Sequence, residues 1–534
     1  MTTPVCCWYN ATSGAVLDTI RNIVIVGGGT AGWLVAASLA KQLNILADPE
    51  TTITLVESPD TPTIGVGEGT WPTMRNTLKR IGIDETDFIR ECDVSFKQGT
   101  QFVNWHKLNR DGSDAAYYHS FELPHTQWRT APGPYWHYLQ SEIGLPYADA
   151  ISVQPEACRG NFAPKTMATP TYEGLLNYAY HLDAGKFARM LQRVATSDLG
   201  VQHVSAHIER ANLSKDGYIA SLSTREAGDI DGDFFVDCSG FTALLIDGTY
   251  DIPFRSVSDK LFVNSAIAIQ MPYQSAAEPI ASPTISTAQQ AGWIWDIGLH
   301  SRRGTGHVYS DDFISDDEAE DQLRRYLGPG SEQLDAKRIK MRLGYREKVF
   351  HKNCVAVGLS AAFLEPLEAS AIFLIEASCN MLGELFPRNR AMLELLEKRY
   401  NASFISRWNS VVDFIKLHYF LSGRTDSEFW IENTRPETAP DSLKEYLEFW
   451  RYYPPSRFDL SSSLEPFVRE SYEFILFGMG YGHYQQSNPA RLPHLEYARE
   501  NFARIAQMRS EVPSQLVTNR RLLDQLKDFR FQSI

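Results

Sequence analysis

The first sixty residues alternate between short apolar runs and a stretch rich in Ala and Leu. Residues 21–26, Arg-Asn-Ile-Val-Ile-Val, form a β-branched block that reads as a buried strand. The turn Gly27-Gly28-Gly29-Thr30-Ala31-Gly32 follows, and residues 33–42 have the composition of a helix. Residues 51–56 repeat the strand pattern and close at Glu57. Strand, helix and strand in this order predict a parallel sheet.

Farther along, residues 104–170 mix aromatics, prolines and turn formers without a clear period, and are expected to build irregular walls. Residues 175–198 read as helix. Residues 202–237 read as alternating strands broken by the turn Lys215-Asp216-Gly217, and the run Phe234-Phe235-Val236 ends at Cys238-Ser239-Gly240. Trp293 and Trp295 stand two apart, on one face of a strand. Residues 311–321 hold seven acids in eleven positions. Ser315 and Glu318 have capping-box spacing there, so the acids read as the first turn of a helix that stops at Gly328-Pro329. From about Ala371 onward the pattern is mainly helical, with Leu495, Ala498, Phe502, Ile505 and Met508 on one apolar face. The expected class is α/β (α+β). Three divisions are expected: an extension at residues 1–20, a nucleotide-binding box with inserted wall segments at residues 21–385, and a mainly helical module at residues 386–534.

Composition narrows this picture. The chain has 534 residues, 43% apolar and 22% charged, which is ordinary for a globular protein. Its 51 Lys and Arg against 65 Asp and Glu give a net charge of −14, which argues against a nucleic-acid partner. Cys6 and Cys7 are adjacent, the other five cysteines stand alone, and no C-x-x-C pair offers a zinc or redox site. A reduced, cytoplasmic protein without a resident metal is expected. There is neither an apolar run long enough to span a membrane nor a signal-peptide pattern at the start.

The candidate chemistry begins at Gly27-x-Gly29-x-x-Gly32, which stands between predicted strand and helix as a dinucleotide fingerprint requires. Gly27 suits the tight turn, Gly29 close approach of a pyrophosphate, and Gly32 helix–strand packing. Gly28, Thr30 and Ala31 complete the turn, and Glu57 is placed to accept from a ribose hydroxyl. Asp237-Cys238-Ser239-Gly240 and Cys354-Val-Ala-Val-Gly-Leu-Ser360 add two further strand-to-glycine segments in flavoprotein order, which favours FAD over NAD. Gly65-Val-Gly-Glu-Gly-Thr70 alternates glycines and lets backbone pass close to something flat. The Trp293/Trp295 pair reads as core packing or as a ring-lined box. Glu368, Ala369 and Ser370 precede an apolar helix, so Glu368 either complements the dipole or borders an anion site.

Together these segments resemble the flavin-dependent tryptophan-type halogenases. The marks are Gly27-Gly-Gly-Thr-Ala-Gly-Trp33, the Trp293-x-Trp295-x-Ile297 box and Leu364-Glu-Pro-Leu-Glu368. Gly65–Thr70, Phe96-Lys97, Phe102-Val-Asn-Trp105, His181-Leu-Asp-Ala184 and Asp237–Gly240 also match, collinearly from residue 21 to about residue 425. The resemblance implies a flavin-monooxygenase-like fold with a helical module over the substrate. It also implies reduced FAD from a separate flavin reductase, and oxidation of chloride or bromide by O₂ to hypohalous acid. That acid reaches a lysine beside an electron-rich, indole-like ring. The lysine falls on Lys97 and the assisting glutamate on Glu368. The halide amides fall on Ser370 and Ala371, and the ring contacts on His119, Phe121, Trp293 and Trp295. FAD contacts fall on the Gly27–Gly32 turn and on Glu57, Ser58, Gly69, Ile208, Leu359 and Ile372. The oligomeric state is left open, a homodimer included.

Lys97 without the resemblance reads as a surface lysine on a strand. Its apolar neighbours Val94, Phe96 and Phe102 instead imply a poorly solvated amine of lowered pKa. Three departures stand out: Gly298 where the family has Pro, Ala371 where it has Gly, and residues 459–481, which lack a match to the cluster that clamps free tryptophan. The alternatives are a hydroxylating flavin monooxygenase, disfavoured by the absence of a second GxGxxG context, and a catalytically silent flavin-binding protein.

Overall fold

The computed structural model describes residues 19–60, 67–106, 115–124, 131–456, 458–460, 465–482 and 492–532. The extension up to residue 18, and Gly65 and Val66 of the glycine-alternating loop, lie outside them.

The β-branched block at the start forms the strand Asn22–Val26, in the middle of a six-stranded sheet. The sheet order is Phe350–His351, Cys354–Ala356, Phe234–Asp237, Asn22–Val26, Thr52–Glu57 and Gln202–Ser205. Every pairing is parallel except the first. The register sets Val26 opposite both Val56 and Asp237, so Gly27, Glu57 and Cys238 emerge together at the carboxyl ends of three strands. That is where open parallel sheets receive ligands. The first helix, Thr30–Leu43, begins three residues earlier than its composition announces and packs against the helix Ser370–Glu384.

A seven-stranded sheet carries the substrate-side segments. Its order is Ala336–Lys340, Ser265–Pro272, Arg302–Tyr309, Gly292–Gly298, Thr284–Gln289, Gly99–Val103 and Ala116–Ser120. A three-stranded sheet places Ala179–Asp183 between Gly67–Gly69 and Ser95–Lys97. The helices Leu393–Phe420, Asp441–Trp450, Arg469–Gly478 and Leu495–Gln515 form most of the C-terminal part.

Three expectations are corrected. The helical reading of residues 175–198 fails at its start. Ala179–Asp183 is a strand whose backbone is paired on both edges, and Asp183 then caps the helix Ala184–Arg193, its carboxylate accepting from the Lys186 amide at 2.9 Å. The described residues within 104–170, which do not include 107–114 and 125–130, are more regular than expected, with the strand Ala116–Ser120 and the helices Gly133–Ile143, Tyr147–Ile151 and Gln154–Arg159. Their apolar residues pack locally and against Phe474 and Phe477 rather than along one periodic stripe. The Ser315 cap is present, its hydroxyl accepting from the Glu318 amide at 3.2 Å. In the last long helix Ala498, Phe502, Ile505 and Val512 are buried, but Met508, at the edge of that face, is exposed. Among the described residues no helix is long and apolar enough to cross a membrane.

Candidate functional site

The glycine turn is shaped by contacts that tolerate no side chain, except at one place. Gly27 adopts φ +104°, a conformation open to glycine, and a Cβ there would lie 2.3 Å from the Cys238 carbonyl oxygen. A Cβ on Gly28 would lie 1.5 Å from Oε2 of Glu57, and one on Gly32 1.8 Å from the Gly27 oxygen. At Gly29 a Cβ would meet nothing within 4 Å among the described residues. Gly29 is also the N-cap of Thr30–Leu43 and makes no side-chain cap, so the first amides, including those of Thr30 and Ala31, face the same open side. Glu57 is fixed by His203, whose Nε2 stands 2.7 Å from Oε1. The third strand-to-glycine segment meets the first here: a Cβ on Gly358 would sit 2.9 Å from that of Ala31. Leu359 and the buried Ile372 lie on the same side, next to Gly358 and at the start of Ser370–Glu384. Ser58 follows Glu57, and Ile208 opens the strand Ile208–Leu213, joined to Glu57 through the Ala206 amide at 2.9 Å. This cradle fits the pyrophosphate and ribose of a dinucleotide.

Lys97 ends the strand Ser95–Lys97 and is 1% exposed. Burial brings its amine down to about 8, against the opposing pull of Glu368. Nζ lies 5.3 Å from the Phe121 ring centroid and within 3.0 Å of where a Gly69 Cβ would be, so the glycine leaves room for the amine. Ala369 borders the same space, 3.5 Å from that Gly69 position.

Glu368 is 5% exposed. Its carbonyl accepts from Trp71 Nε1 at 2.8 Å. Nδ1 of His119 stands 3.0 and 3.1 Å from its two carboxylate oxygens, and Nε2 of His418 stands 3.0 Å from Oε1. Burial alone would raise this carboxyl, but the two histidines outweigh it and bring it down to about 2. Ala369 then takes φ 52°, ψ 40° and turns the chain into Ser370–Glu384 without a side-chain cap. The amides of Ser370 and Ala371 are therefore the unsatisfied donors of a helix N-terminus next to Glu368, an anion-binding geometry.

Phe414 and Phe474 flank the His119 ring, each 5.7 Å away, and Phe414 stacks on Phe467 at 3.7 Å. Trp71 stacks on Phe373 at 4.3 Å and meets Phe467 at 5.1 Å. The wall around Glu368 is thus aromatic.

Trp293 is 1% exposed, and its Nε1 donates to Glu365 Oε2 at 2.9 Å, an oxygen that also accepts from Tyr419 at 2.6 Å. Trp295 is half-buried and covers Gly306. In this arrangement Trp293 belongs to the core and anchors the segment that carries Glu368.

Sequence reasoning named Lys97, Glu368, His119 and Phe121, and the structure brings these four together. It missed His418 and Glu365. His418 gave no signal, being one polar position within a 28-residue helix. Glu365 lies inside the Leu364–Glu368 motif, where nothing in the spacing signals that its carboxyl is buried.

A family model for tryptophan halogenase matches residues 22–492. The tryptophan 7-halogenase RebH of Lentzea aerocolonigenes is 35% identical over 445 residues, 81% of this chain and 82% of its own. The crystal structure of a tryptophan halogenase from Shewanella frigidimarina superposes with a TM-score of 0.93 at 40% identity, covering 97% of this chain and 99% of that one. BrvH, a flavin-dependent halogenase from Brevundimonas sp. BAL3, superposes with a TM-score of 0.85 at 30% identity, covering 95% and 99%. With the glycine turn, Lys97 and Glu368 all inside the matched span, this chain belongs to the tryptophan halogenase family.

Proposed function

We propose that the protein halogenates an electron-rich, indole-like ring, using FAD in its reduced form, O₂ and chloride or bromide. The observation that carries the reading is the meeting of a buried lysine of lowered pKa and a buried carboxylate across one aromatic-walled space, with an uncapped helix N-terminus beside them. Bound as FADH₂, the flavin supplies the electrons with which O₂ oxidises halide to hypohalous acid. Gly28, Thr30, Ala31 and Glu57 would hold its pyrophosphate and ribose, and a separate flavin reductase would supply the reduced form.

The chain's own residues do the rest. The amides of Ser370 and Ala371 hold the halide by the partial positive charge of the helix start. Lys97 donates a hydrogen bond to the hypohalous acid and makes its halogen more electrophilic. His119 and Phe121 face the ring, and Glu368 takes the proton that the ring releases. Overall, an aromatic C–H and hypohalous acid become a C–halogen bond and water.

The substrate site is read as open rather than as a clamp for a free amino acid. On Arg469–Gly478, Glu470 pairs with Arg469. Glu473 is fully buried, accepts from the Tyr147 hydroxyl at 2.5 Å and is pushed up by burial to about 7. Each acid of that helix thereby has a partner within the protein, although Oε1 of Glu473 makes no hydrogen bond among the described residues.

The test is turnover with a flavin reductase, FAD and a panel of indoles, phenols and pyrroles, with bromide and chloride, followed by mass spectrometry. Halide-dependent monohalogenated product supports the reading. Hydroxylated product, or reduced-flavin oxidation with no aryl product, overturns it.

A further inference from the structure

We propose that His418 is a positioning residue that keeps Glu368 an ionised acceptor for the ring proton; the inference rests on the aryl-halogenase reading above. His418 lies on Leu393–Phe420, is 0% exposed, and has the rings of Phe102 and Trp105 against it at 4.8 and 6.0 Å. Its Nδ1 is 2.8 Å from the Phe414 carbonyl oxygen, and its Nε2 is 3.0 Å from Glu368 Oε1. Both partners are acceptors. With Glu368 ionised, its carboxyl being brought down to about 2, a neutral imidazole with its single N–H can serve only one of them, so the ring satisfies both contacts only when both nitrogens carry protons. The second of these protons lies in the contact with Glu368.

The opposite side of the carboxylate is held by Nδ1 of His119, on Ala116–Ser120. Among the described residues, the remaining titratable groups facing it are Lys97, on Ser95–Lys97, and Tyr117, on the same strand as His119, whose phenol burial keeps protonated. In this apolar surround a carboxylate without compensating charge takes up a proton. A protonated Glu368 has no free basic site for the ring proton. In the step itself the carbon–halogen bond forms as the halogen–oxygen bond of hypohalous acid breaks. The ring C–H bond then breaks, and its electron pair returns to the ring. The proton goes to Glu368, and proton and departing hydroxide end as water. Tying Oε1 to His418 also fixes the orientation of the carboxylate relative to His119 and Lys97.

The experiment is a double-substitution cycle read against pH. His418→Gln keeps a neutral N–H toward Glu368 but cannot carry the extra proton. Its aryl bromination of indole is expected to fall by at least about threefold as pH is lowered from 8 to 6, relative to the wild-type profile, because loss of the His418 contact raises the buried carboxyl and part of it becomes protonated. KM for indole and the rate of reduced-flavin oxidation stay within twofold of wild type. A primary isotope effect with ring-deuterated indole appears at the low end of that range. In the Glu368→Gln background, His418→Gln adds no further loss. His418→Asn, which keeps the donor toward Phe414 instead, gives the same profile and serves if the glutamine variant does not fold. In the unsubstituted enzyme, ring-¹⁵N histidine spectra at pH 7.5 show an imidazolium protected from solvent exchange, a readout that needs no variant. A His418→Gln profile parallel to wild type, a multiplicative loss in the double variant, or the absence of that imidazolium overturns the proposal. A wild-type enzyme that brominates no aromatic ring overturns the parent reading instead.

Discussion

Gly29 and Gly32 belong to one motif and differ in what surrounds them. Space at Gly29 is open, whereas a Cβ at Gly32 would meet a backbone oxygen 1.8 Å away. Gly29→Val is therefore expected to leave the melting temperature unchanged and to weaken FAD binding at least tenfold, about 1.4 kcal/mol. Gly32→Ala is expected to lower the melting temperature, overpacking of this kind costing about 1–3 kcal/mol. Fluorescence titration of FAD and thermal melts distinguish the two; an unchanged FAD affinity in Gly29→Val would move the cofactor elsewhere.

Lys97 yields a prediction with a definite sign. Its amine titrates near 8 when folded, against an ordinary value of 10.5. Burial thus makes the folded state bind the proton less well than the unfolded chain does. The cost of holding Lys97 charged is full below about pH 8 and fades as pH rises toward 10.5. Lys97→Met should stabilise the fold by up to about 3 kcal/mol at pH 7 and by little at pH 10. The same variant should abolish aryl halogenation while reduced-flavin oxidation continues. As the hydrogen-bond donor is the ammonium, wild-type halogenation should decline as pH rises through about 8. A rate that climbs through that pH would assign the chemistry to the free amine.

At the scale of the element, the segment Leu364–Glu368 is held from outside itself. Glu365 is pushed up to about 7 by burial, and its Oε2 takes hydrogen bonds from Trp293 on Gly292–Gly298 and from Tyr419 on Leu393–Phe420. Two elements thus fix the turn on which Glu368 stands. Trp293→Phe removes one donor from a buried carboxyl and should cost about 1–3 kcal/mol. Halogenation should fall more than flavin oxidation, because the turn carrying Glu368 loosens while the glycine cradle is untouched. Trp295→Phe, at the half-buried position, should do less on both counts. Equal losses in the two variants would argue that Trp293 acts through packing alone.

The whole molecule assembles the site from distant parts. His119 and Glu368 are 249 residues apart, and Glu368 and His418 are 50 apart. The aromatic wall comes from the strand Ala116–Ser120 and from the helices Leu393–Phe420 and Arg469–Gly478. With Glu470 and Glu473 engaged internally, a free ammonium and carboxylate would be desolvated without partners on that helix, at a cost of several kcal/mol. A neutral ring avoids that cost and retains its stacking. Indole, or an indole within a larger molecule, is expected to show a higher kcat/KM than free tryptophan under the same halide and flavin supply. A preference for tryptophan would mean that other residues clamp it.

Local signals were enough for the parts whose physics is local. The strand–glycine–helix opening, the Ser315 cap and the apolar face through Ala498, Phe502 and Ile505 are each set by neighbours within a few residues, so spacing alone determined them. Lys97 and Glu368 were legible only through the family marks around them, since a lone lysine on a strand and a lone acid at a helix start have ordinary structural explanations. Tertiary contacts decided the rest. Ala179–Asp183 is a strand because two other segments hydrogen-bond to its two edges. His418 matters because Leu393–Phe420 carries it against a carboxylate from another element. Periodicity reports which side of an element is buried, not which charge will meet it there, because burial is a property of one segment and pairing is a property of two.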